Sequence, residues 1–252
     1  MKSEKKEKKN RKVASPDPLP LYHLLPFVLF VAISFIWFLP YKPALATMSV
    51  QRMVLKCLPI LYLAIYLIVS DRGRGESGRV FFALIFSAIG DGFLAFHDIC
   101  FLYGVAAFGI AHCIYAKTFG FQPVKLLTGG FLFALNFCIL SYFALPYIQP
   151  VSFRVCMTIY SLVLVTMAWR SVDRYLFMTS PCKERRLCSA LGGIIFIISD
   201  SSYVFLQMLE LLPHIPAQII ILTTYYLSQL FFMLGSCESF WGPARNYPKK
   251  RS

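Results

Sequence analysis

The sequence predicts an all-α membrane protein, a bundle of eight transmembrane helices that forms two parallel four-helix repeats around a central cavity. Its 252 residues are 58% hydrophobic and only 15% charged, which is too apolar for an ordinary soluble domain. The apolar residues lie in runs near the ~20 residues that a helix needs to cross about 30 Å of hydrocarbon. None of these runs alternates strictly, as a membrane strand would.

Eight runs have the required length: residues 22–40, 53–70, 80–96, 100–119, 126–143, 151–169, 187–206 and 217–235. They predict one membrane domain over residues 22–237, which we expect to carry the activity. A polar, lysine-rich segment over 1–21 precedes it and is predicted to be a disordered tail. Residues 238–252 are predicted to form a C-terminal tail.

The 25 Lys and Arg residues are distributed unevenly between the two ends of these spans. Most lie in the tails and in the loops that eight spans place on the same side. The other side keeps Lys42, Arg52, Lys56 and Arg154. By the positive-inside rule, both termini are therefore predicted to be cytoplasmic. The net charge of +13 is explained by orientation and by contact with anionic lipid head groups, so we expect no nucleic-acid partner.

The chain ends in KKRS, which places Lys249 and Lys250 at the fourth- and third-last positions. On a cytoplasmic tail this arrangement resembles the dilysine retrieval signal of endoplasmic reticulum membrane proteins. It predicts a location in the endoplasmic reticulum membrane. The alternative is one more basic patch beside the bilayer.

Two acidic residues lie deep inside predicted spans. Asp91 belongs to FSAIGDGFLAF (86–96) in the third span, and Asp200 belongs to FIISDSSYVF (196–205) in the seventh. Both spans start from the same side, so at ~1.5 Å per residue the two carboxyl groups lie at similar depth. Burying an unpaired carboxylate costs several kcal/mol or more. We therefore predict that the two acids are a functional pair facing the cavity between the repeats.

Other spans carry polar residues at similar depth. Any one of them is more often a hydrogen-bonded interior group than a ligand. Together with two acids in the same layer, they favour a pocket. The candidate substrate-binding or supporting residues are Lys56, His112, Tyr115, Asn136, Thr224, Tyr225, Tyr226 and Gln229.

Five stretches, in this order, resemble the lysoplasmalogenase (YhhN-like) family of membrane enzymes, and most of all its vertebrate members: KCLPI (56–60), FSAIGDGFLAF, AHCIYAKTFG (111–120), FIISD (196–200) and TTYYLSQ (223–229). The resemblance covers residues 22–237, whereas the lysine-rich N-terminal tail departs from the family pattern. It implies hydrolysis of lysoplasmalogen, a 1-alkenyl-glycerophosphoethanolamine or -choline. The products would be a fatty aldehyde and glycerophosphoethanolamine or glycerophosphocholine. The catalytic residues it implies are Asp91 and Asp200.

The chemistry of a vinyl ether suits such a pair. A vinyl ether has no electrophilic carbonyl, so it is cleaved by acid: a proton adds to the carbon beyond the oxygen-bearing one, and water attacks the resulting oxocarbenium ion. One carboxyl group must hold a proton near neutral pH, while a second stabilises the cation and activates water, as in glycoside hydrolysis. Burial and a neighbouring carboxylate favour the protonated form of one member of a pair. The residues do not show which aspartate is the acid, and Lys56 is expected either to hold the phosphate or to pair with an aspartate.

Three other functions would use similar residues. A proton-coupled transporter also places paired acids in membrane helices. An intramembrane aspartyl protease uses two aspartates, but Ala88 stands where its GxGD motif has the first glycine. A zinc lipid hydrolase would use Ser87 together with Asp91 and would also need three histidine ligands. Of the four histidines in this chain, only His112 lies deep in a predicted span. We expect no metal and no cofactor. The expected partners are the lipid substrate and the bilayer, and a homodimer stays open.

Overall fold

The computed structural model describes residues 21–39, 50–73, 75–95, 97–179 and 182–241. These ranges are helical and contain no strand. In the described part of the chain, a 3₁₀ turn, Leu21–Leu24, leads into nine α-helices: α1 (Leu25–Phe38), α2 (Val50–Asp71), α3 (Gly75–Leu94), α4 (His97–Phe119), α5 (Leu126–Ile139), α6 (Val151–Phe177), α7 (Lys183–Ser202), α8 (His214–Ser236) and the short α9 (Glu238–Trp241).

Within the described ranges, seven helical segments are long and apolar enough to cross a membrane. They correspond to α2 to α8, with α5 counted together with the turns that continue it to Tyr147. The first predicted span corresponds to the shorter apolar segment Tyr22–Trp37. Helices suit this solvent because each satisfies its own backbone hydrogen bonds where water is absent. The all-α membrane fold is therefore confirmed, whereas the count of eight spans and the two repeats stay predictions.

Six helices form a closed ring of neighbours. Helix α2 packs on α3, α3 on α4, α4 on α6, α6 on α7, α7 on α8, and α8 returns to α2. Helix α1 lies outside the ring against α2, and α5 lies outside it against α6. The main core lies inside the ring, where Leu63, Leu84, Phe196 and Phe232 are fully buried.

Glycine permits close contacts between helices, as two examples show. A Cβ at Gly90 in α3 would lie 2.6 Å from Cδ2 of Phe108 in α4. A Cβ at Gly235 in α8 would lie 2.9 Å from the backbone oxygen of Arg185 in α7. Membrane helices associate through such close packing, because the hydrophobic effect does not favour their association in lipid.

Charged side chains tie several helix ends together on one face of the bundle. Arg174 of α6 forms an ion pair with Glu76 of α3, and Arg185 of α7 lies 3.2 Å from both Glu76 and Glu238. Asp71 at the end of α2 accepts a 2.6 Å hydrogen bond from the backbone N–H of Glu238. These contacts place the junctions α2–α3, α6–α7 and α8–α9 on the same face.

A buried ion pair brings the α4–α5 connection to the same face. Arg170 and Asp173 of α6 are both fully buried, with 3.0 Å between Nη1 and Oδ2. Arg170 also donates to the carbonyl oxygens of Gly120 and Pro123, at 2.8 and 2.7 Å. We call this side of the bundle the basic face; its residues include Lys117, Lys125, Arg170, Arg174, Lys183, Arg185 and Arg186. Its assignment to the cytoplasm stays a prediction, and Lys249 and Lys250 lie outside the described residues.

Candidate active site

A cavity of about 140 Å³ lies inside the ring, and every helix from α2 to α8 contributes to its wall. Asp91 of α3 and Asp200 of α7 both line it, although they lie in different halves of the chain. Much of the remaining wall is apolar, and includes Leu94, Phe101 and Val105. The cavity therefore presents two carboxyl groups to a largely apolar space.

Two local distortions border this cavity. Helix α5 continues into a π-helical turn, Leu140–Ala144, and α7 continues into another, Tyr203–Met208. Both turns contribute side chains to the cavity wall. Such wide turns are frequent at functional sites, because they redirect side chains that a regular helix would point elsewhere.

Asp91 is held by two partners. Its side chain is 1% exposed, and Nζ of Lys56 lies 2.8 Å from Oδ1. The hydroxyl of Tyr225 donates to Oδ2 at 2.6 Å. A buried carboxylate requires a counter-charge and hydrogen bonds, and Asp91 has both. Of the two roles expected for Lys56, the structure shows the ion pair with an aspartate.

Asp200 has different surroundings. Its side chain is 23% exposed, and it accepts a hydrogen bond at Oδ2 from the hydroxyl of Tyr160. Nε2 of the buried His112 lies 2.9 Å from that hydroxyl and 3.8 Å from Oδ2. Because the Tyr160 hydroxyl donates to Asp200, its oxygen accepts a hydrogen bond from Nε2–H of His112. Asp200 is thus the carboxyl group more open to the cavity.

Three other predicted residues stand behind the cavity wall. The hydroxyl of Tyr115 donates to Oε1 of Gln229 at 2.7 Å, and both side chains are fully buried. The hydroxyl of Tyr226 donates to the backbone oxygen of Lys56 at 3.1 Å. These residues support α2 and α4 and do not line the cavity.

The last two predicted residues, Asn136 and Thr224, differ in their position relative to the cavity. Asn136 lines the cavity, and its Nδ2 lies 3.4 Å from Oγ of Ser161. The hydroxyl of Thr224 donates to the carbonyl oxygen of Ile220 in its own helix at 2.7 Å, and Thr224 does not line the cavity. The cavity wall thus contains five of the ten predicted site residues: Lys56, Asp91, Asn136, Asp200 and Tyr225.

Sequence reasoning missed Tyr160. This residue joins His112 to Asp200 and lines the cavity. The signal was present, because Tyr160 and Ser161 are adjacent polar residues near the middle of the predicted span 151–169. Among the described residues, no group of three or more His, Cys, Asp or Glu side chains is arranged to hold a metal ion. The cavity instead offers carboxyl, hydroxyl and ammonium groups, which suit proton transfer.

Comparison with known proteins identifies the family. The sequence pattern of the YhhN family matches residues 51–236. Lysoplasmalogenase TMEM86B of Sus scrofa is 33% identical over 217 residues, which cover 86% of this chain and 87% of that protein. Lysoplasmalogenase TMEM86A is 29% identical in both Bos taurus and Homo sapiens, with 86% of this chain and 89% of each relative covered. No solved structure matches. Because the family match runs from α2 to the end of α8, and so contains both aspartates and their partners, the chain belongs to the YhhN family.

Proposed function

We propose that this protein is a lysoplasmalogenase. It hydrolyses the vinyl ether bond of a 1-alkenyl-glycerophosphoethanolamine or -choline and releases a fatty aldehyde. The observation that carries the proposal is that Asp91 and Asp200 line one largely apolar cavity. The lysoplasmalogenases named above, which align over most of their length, support this substrate class.

In this proposal Asp200 handles the protons. Because Oδ2 accepts from Tyr160, the reactive proton resides on Oδ1. It passes to the alkenyl carbon beyond the oxygen-bearing one, which leaves an oxocarbenium ion and an Asp200 carboxylate. That carboxylate then takes a proton from the water that attacks the cation, and a hemiacetal forms. Asp200 returns the proton to the glycerol oxygen as the hemiacetal collapses to aldehyde and alcohol, as an acid/base residue does in glycoside hydrolysis. The hemiacetal hydroxyl gives up its own proton as the aldehyde forms, and the Asp200 carboxylate takes that proton, which restores the acid.

Asp91 has an electrostatic role in the same scheme. Both of its oxygens are engaged, one by Lys56 and one by Tyr225, so it is poorly placed to shuttle protons. A negative group that is already oriented stabilises a developing cation without reorganising, and its effect is larger where water is excluded. The proposal thus assigns the acid to Asp200 and the stabilisation of the cation to Asp91, whereas the sequence left open which aspartate is the acid.

We also assign the protein to the endoplasmic reticulum membrane, with both termini in the cytoplasm. The apolar helices support a multi-pass membrane protein, and the basic face supports the orientation through the positive-inside rule. Lys249 and Lys250 support the compartment. Replacing both lysines with Ser is expected to move a tagged protein beyond the endoplasmic reticulum in imaged cells; unchanged localisation would contradict the retrieval signal.

The activity is tested with the full-length protein in detergent. Purified protein is incubated with a lysoplasmalogen and, separately, with the ester lysophospholipid of the same chain length. Aldehyde release from the lysoplasmalogen, without cleavage of the ester, is the expected result. Transport of intact substrate into sealed vesicles, without aldehyde, would favour a transporter.

The residues are tested by substitutions that keep side-chain size. Asp91→Asn and Asp200→Asn are each expected to abolish turnover while the protein stays folded, as judged by helical circular dichroism and size-exclusion chromatography. Glu184→Gln provides a matched control, because it removes an exposed carboxylate at the start of the helix that carries Asp200. Full activity in either aspartate variant would refute the assignment.

A further inference from the structure

The cavity is too small to hold a whole fatty chain. A cavity of about 150 Å³ in another protein takes a single benzene molecule, and the cavity here measures about 140 Å³. It therefore holds the reacting group and the first carbons of the chain. The rest of a long-chain substrate must lie outside it, along a route that reaches lipid.

A groove of about 500 Å³ supplies such a route. It lies between α4 and α6 on the outside of the ring, and its wall is mainly apolar. Leu102, Ile110 and Ile159 are among its exposed residues. Val105 and Tyr160 line both the groove and the catalytic cavity. These two side chains are therefore part of the partition between lipid and the reacting groups.

The groove also has one charged end. Lys117, in the last turn of α4, is exposed and lines the groove near the basic face. His112, which contacts Tyr160, precedes it by five residues, about 7.5 Å along the helix axis. Val105 lies a further seven residues away, about 10 Å deeper. Along α4, the ammonium group of Lys117 is thus followed by His112, at the level of the proposed reacting groups, and then by the apolar wall at Val105.

A lysoplasmalogen carries its groups in the same order: a phosphate, a short glycerol backbone, the vinyl ether and an apolar chain. We infer that a single-chain phospholipid enters the site sideways from the bilayer through the groove between α4 and α6. Its phosphate binds Lys117, and its vinyl ether passes Tyr160 to reach Asp200. This inference rests on the proposed function and adds the access route and the orientation of the substrate, with the head group toward the basic face.

Glycine keeps the space beside Tyr160 open. Gly109 lines the groove, and a Cβ built there would lie 3.9 Å from Cδ2 of Tyr160. This is an ordinary contact distance, so a larger side chain fits the fold but occupies the groove. Gly130 in α5 is a matched control, because a Cβ there meets no atom within 4 Å and Gly130 does not line the groove.

The first experiment compares Gly109→Leu with Gly130→Leu in the full-length protein. Gly109→Leu is expected to lower kcat/KM by about tenfold, mainly through KM, because access to the site is obstructed. Gly130→Leu is expected to stay within about twofold of the natural protein, as surface substitutions away from special features usually do. Equal kcat/KM in the two variants would overturn the inference.

The second experiment tests the phosphate contact. Lys117→Gln and the control Lys125→Gln are assayed with lysoplasmalogen and with the 1-alkenylglycerol that lacks the phosphate. Lys117→Gln is expected to raise the KM for the phospholipid about tenfold. The KM for the alkenylglycerol is expected to stay within about twofold, because only the phospholipid loses a charged contact. An equal change for both substrates, or no change for either, would overturn the assignment of Lys117.

A binding experiment separates failure of the route from failure of the proposed function. A lysophospholipid with a photoreactive group in its chain is cross-linked to the natural protein and to Gly109→Leu. Lower labelling of Gly109→Leu supports the groove as the access route, whether or not the natural protein releases aldehyde. Absence of aldehyde release from the natural protein would refute only the proposed activity. Equal labelling of both proteins overturns the groove whether or not aldehyde is released.

Discussion

Replacing Lys56 with Met removes the positive charge from beside one of the most deeply buried acids of the protein. The Lys56 ammonium lies 2.8 Å from Oδ1 of Asp91, whose side chain is 1% exposed. Removing one partner of a buried ion pair costs about 3–5 kcal/mol, because the other charge is left uncompensated. We expect about 3 kcal/mol of lost unfolding free energy, at the lower end of that range, because Tyr225 still donates to Asp91 and Lys56 is 17% exposed.

The double substitution Lys56→Met with Asp91→Asn gives the sharper test. It removes both charges, so no unpaired charge stays buried. The double variant is therefore expected to be more stable than Lys56→Met alone, by about 2 kcal/mol. The proposed lysoplasmalogenase activity is nevertheless expected to stay lost, because the negative group that we propose to stabilise the cation is absent.

The measurement is the unfolding free energy in detergent micelles, from denaturant titrations followed by helical circular dichroism, beside aldehyde release. A double variant as unstable as Lys56→Met would refute the ion-pair reasoning. A double variant with natural activity would refute the electrostatic role of Asp91.

Three further predictions follow from the same geometry. Tyr160→Phe is expected to lower kcat about 10- to 100-fold, because it removes the hydrogen bond to Asp200, the acid of the proposed mechanism. An unchanged kcat in steady-state assays would exclude this role of Tyr160. Gly90→Ala is expected to lower the unfolding free energy by about 1–3 kcal/mol through overpacking against Phe108. Gly92→Ala is expected to be tolerated, because its Cβ would lie 3.7 Å from Met53, an ordinary contact distance. Equal thermal stability of the two variants would contradict this packing argument. Hydrolysis in D₂O is expected to place one deuterium on the carbon next to the carbonyl group of the aldehyde, because the acid protonates that carbon. If mass spectrometry shows an aldehyde without this deuterium, the proposed mechanism is refuted.

The helix boundaries show where sequence reasoning reaches its limit. The apolar run over 151–169 predicts a span that ends before Arg170 and Asp173, but α6 continues to Phe177. The additional turns contain Arg170 and Asp173, which are fully buried because they pair with each other and Arg170 holds the α4–α5 connection. A hydropathy pattern ends at charged residues, since it contains no information on partners from elsewhere in the chain.

The site shows a similar division. That Asp91 and Asp200 lie at similar positions along two helices that start from the same face followed from the apolar runs around them. Asp91 lies three residues before the end of α3, and Asp200 lies two residues before the end of α7. Their different partners did not follow. These helices are apolar on most of their surface, so the pattern does not define which side of each helix faces the interior. Tyr160 was missed for this reason, and Thr224 was included although its hydroxyl bonds to its own helix.

The sequence alone determined that the chain is an all-α membrane protein, because long apolar runs are stable as helices in lipid whatever surrounds them. It also predicted that the two acids lie at a similar level, since the helical rise converts position in a run into distance. Only the tertiary structure decided that Asp91 receives a lysine while Asp200 faces the cavity beside Tyr160 and His112. The physical reason is that depth is a property of one helix, whereas a partner depends on how neighbouring helices rotate and pack.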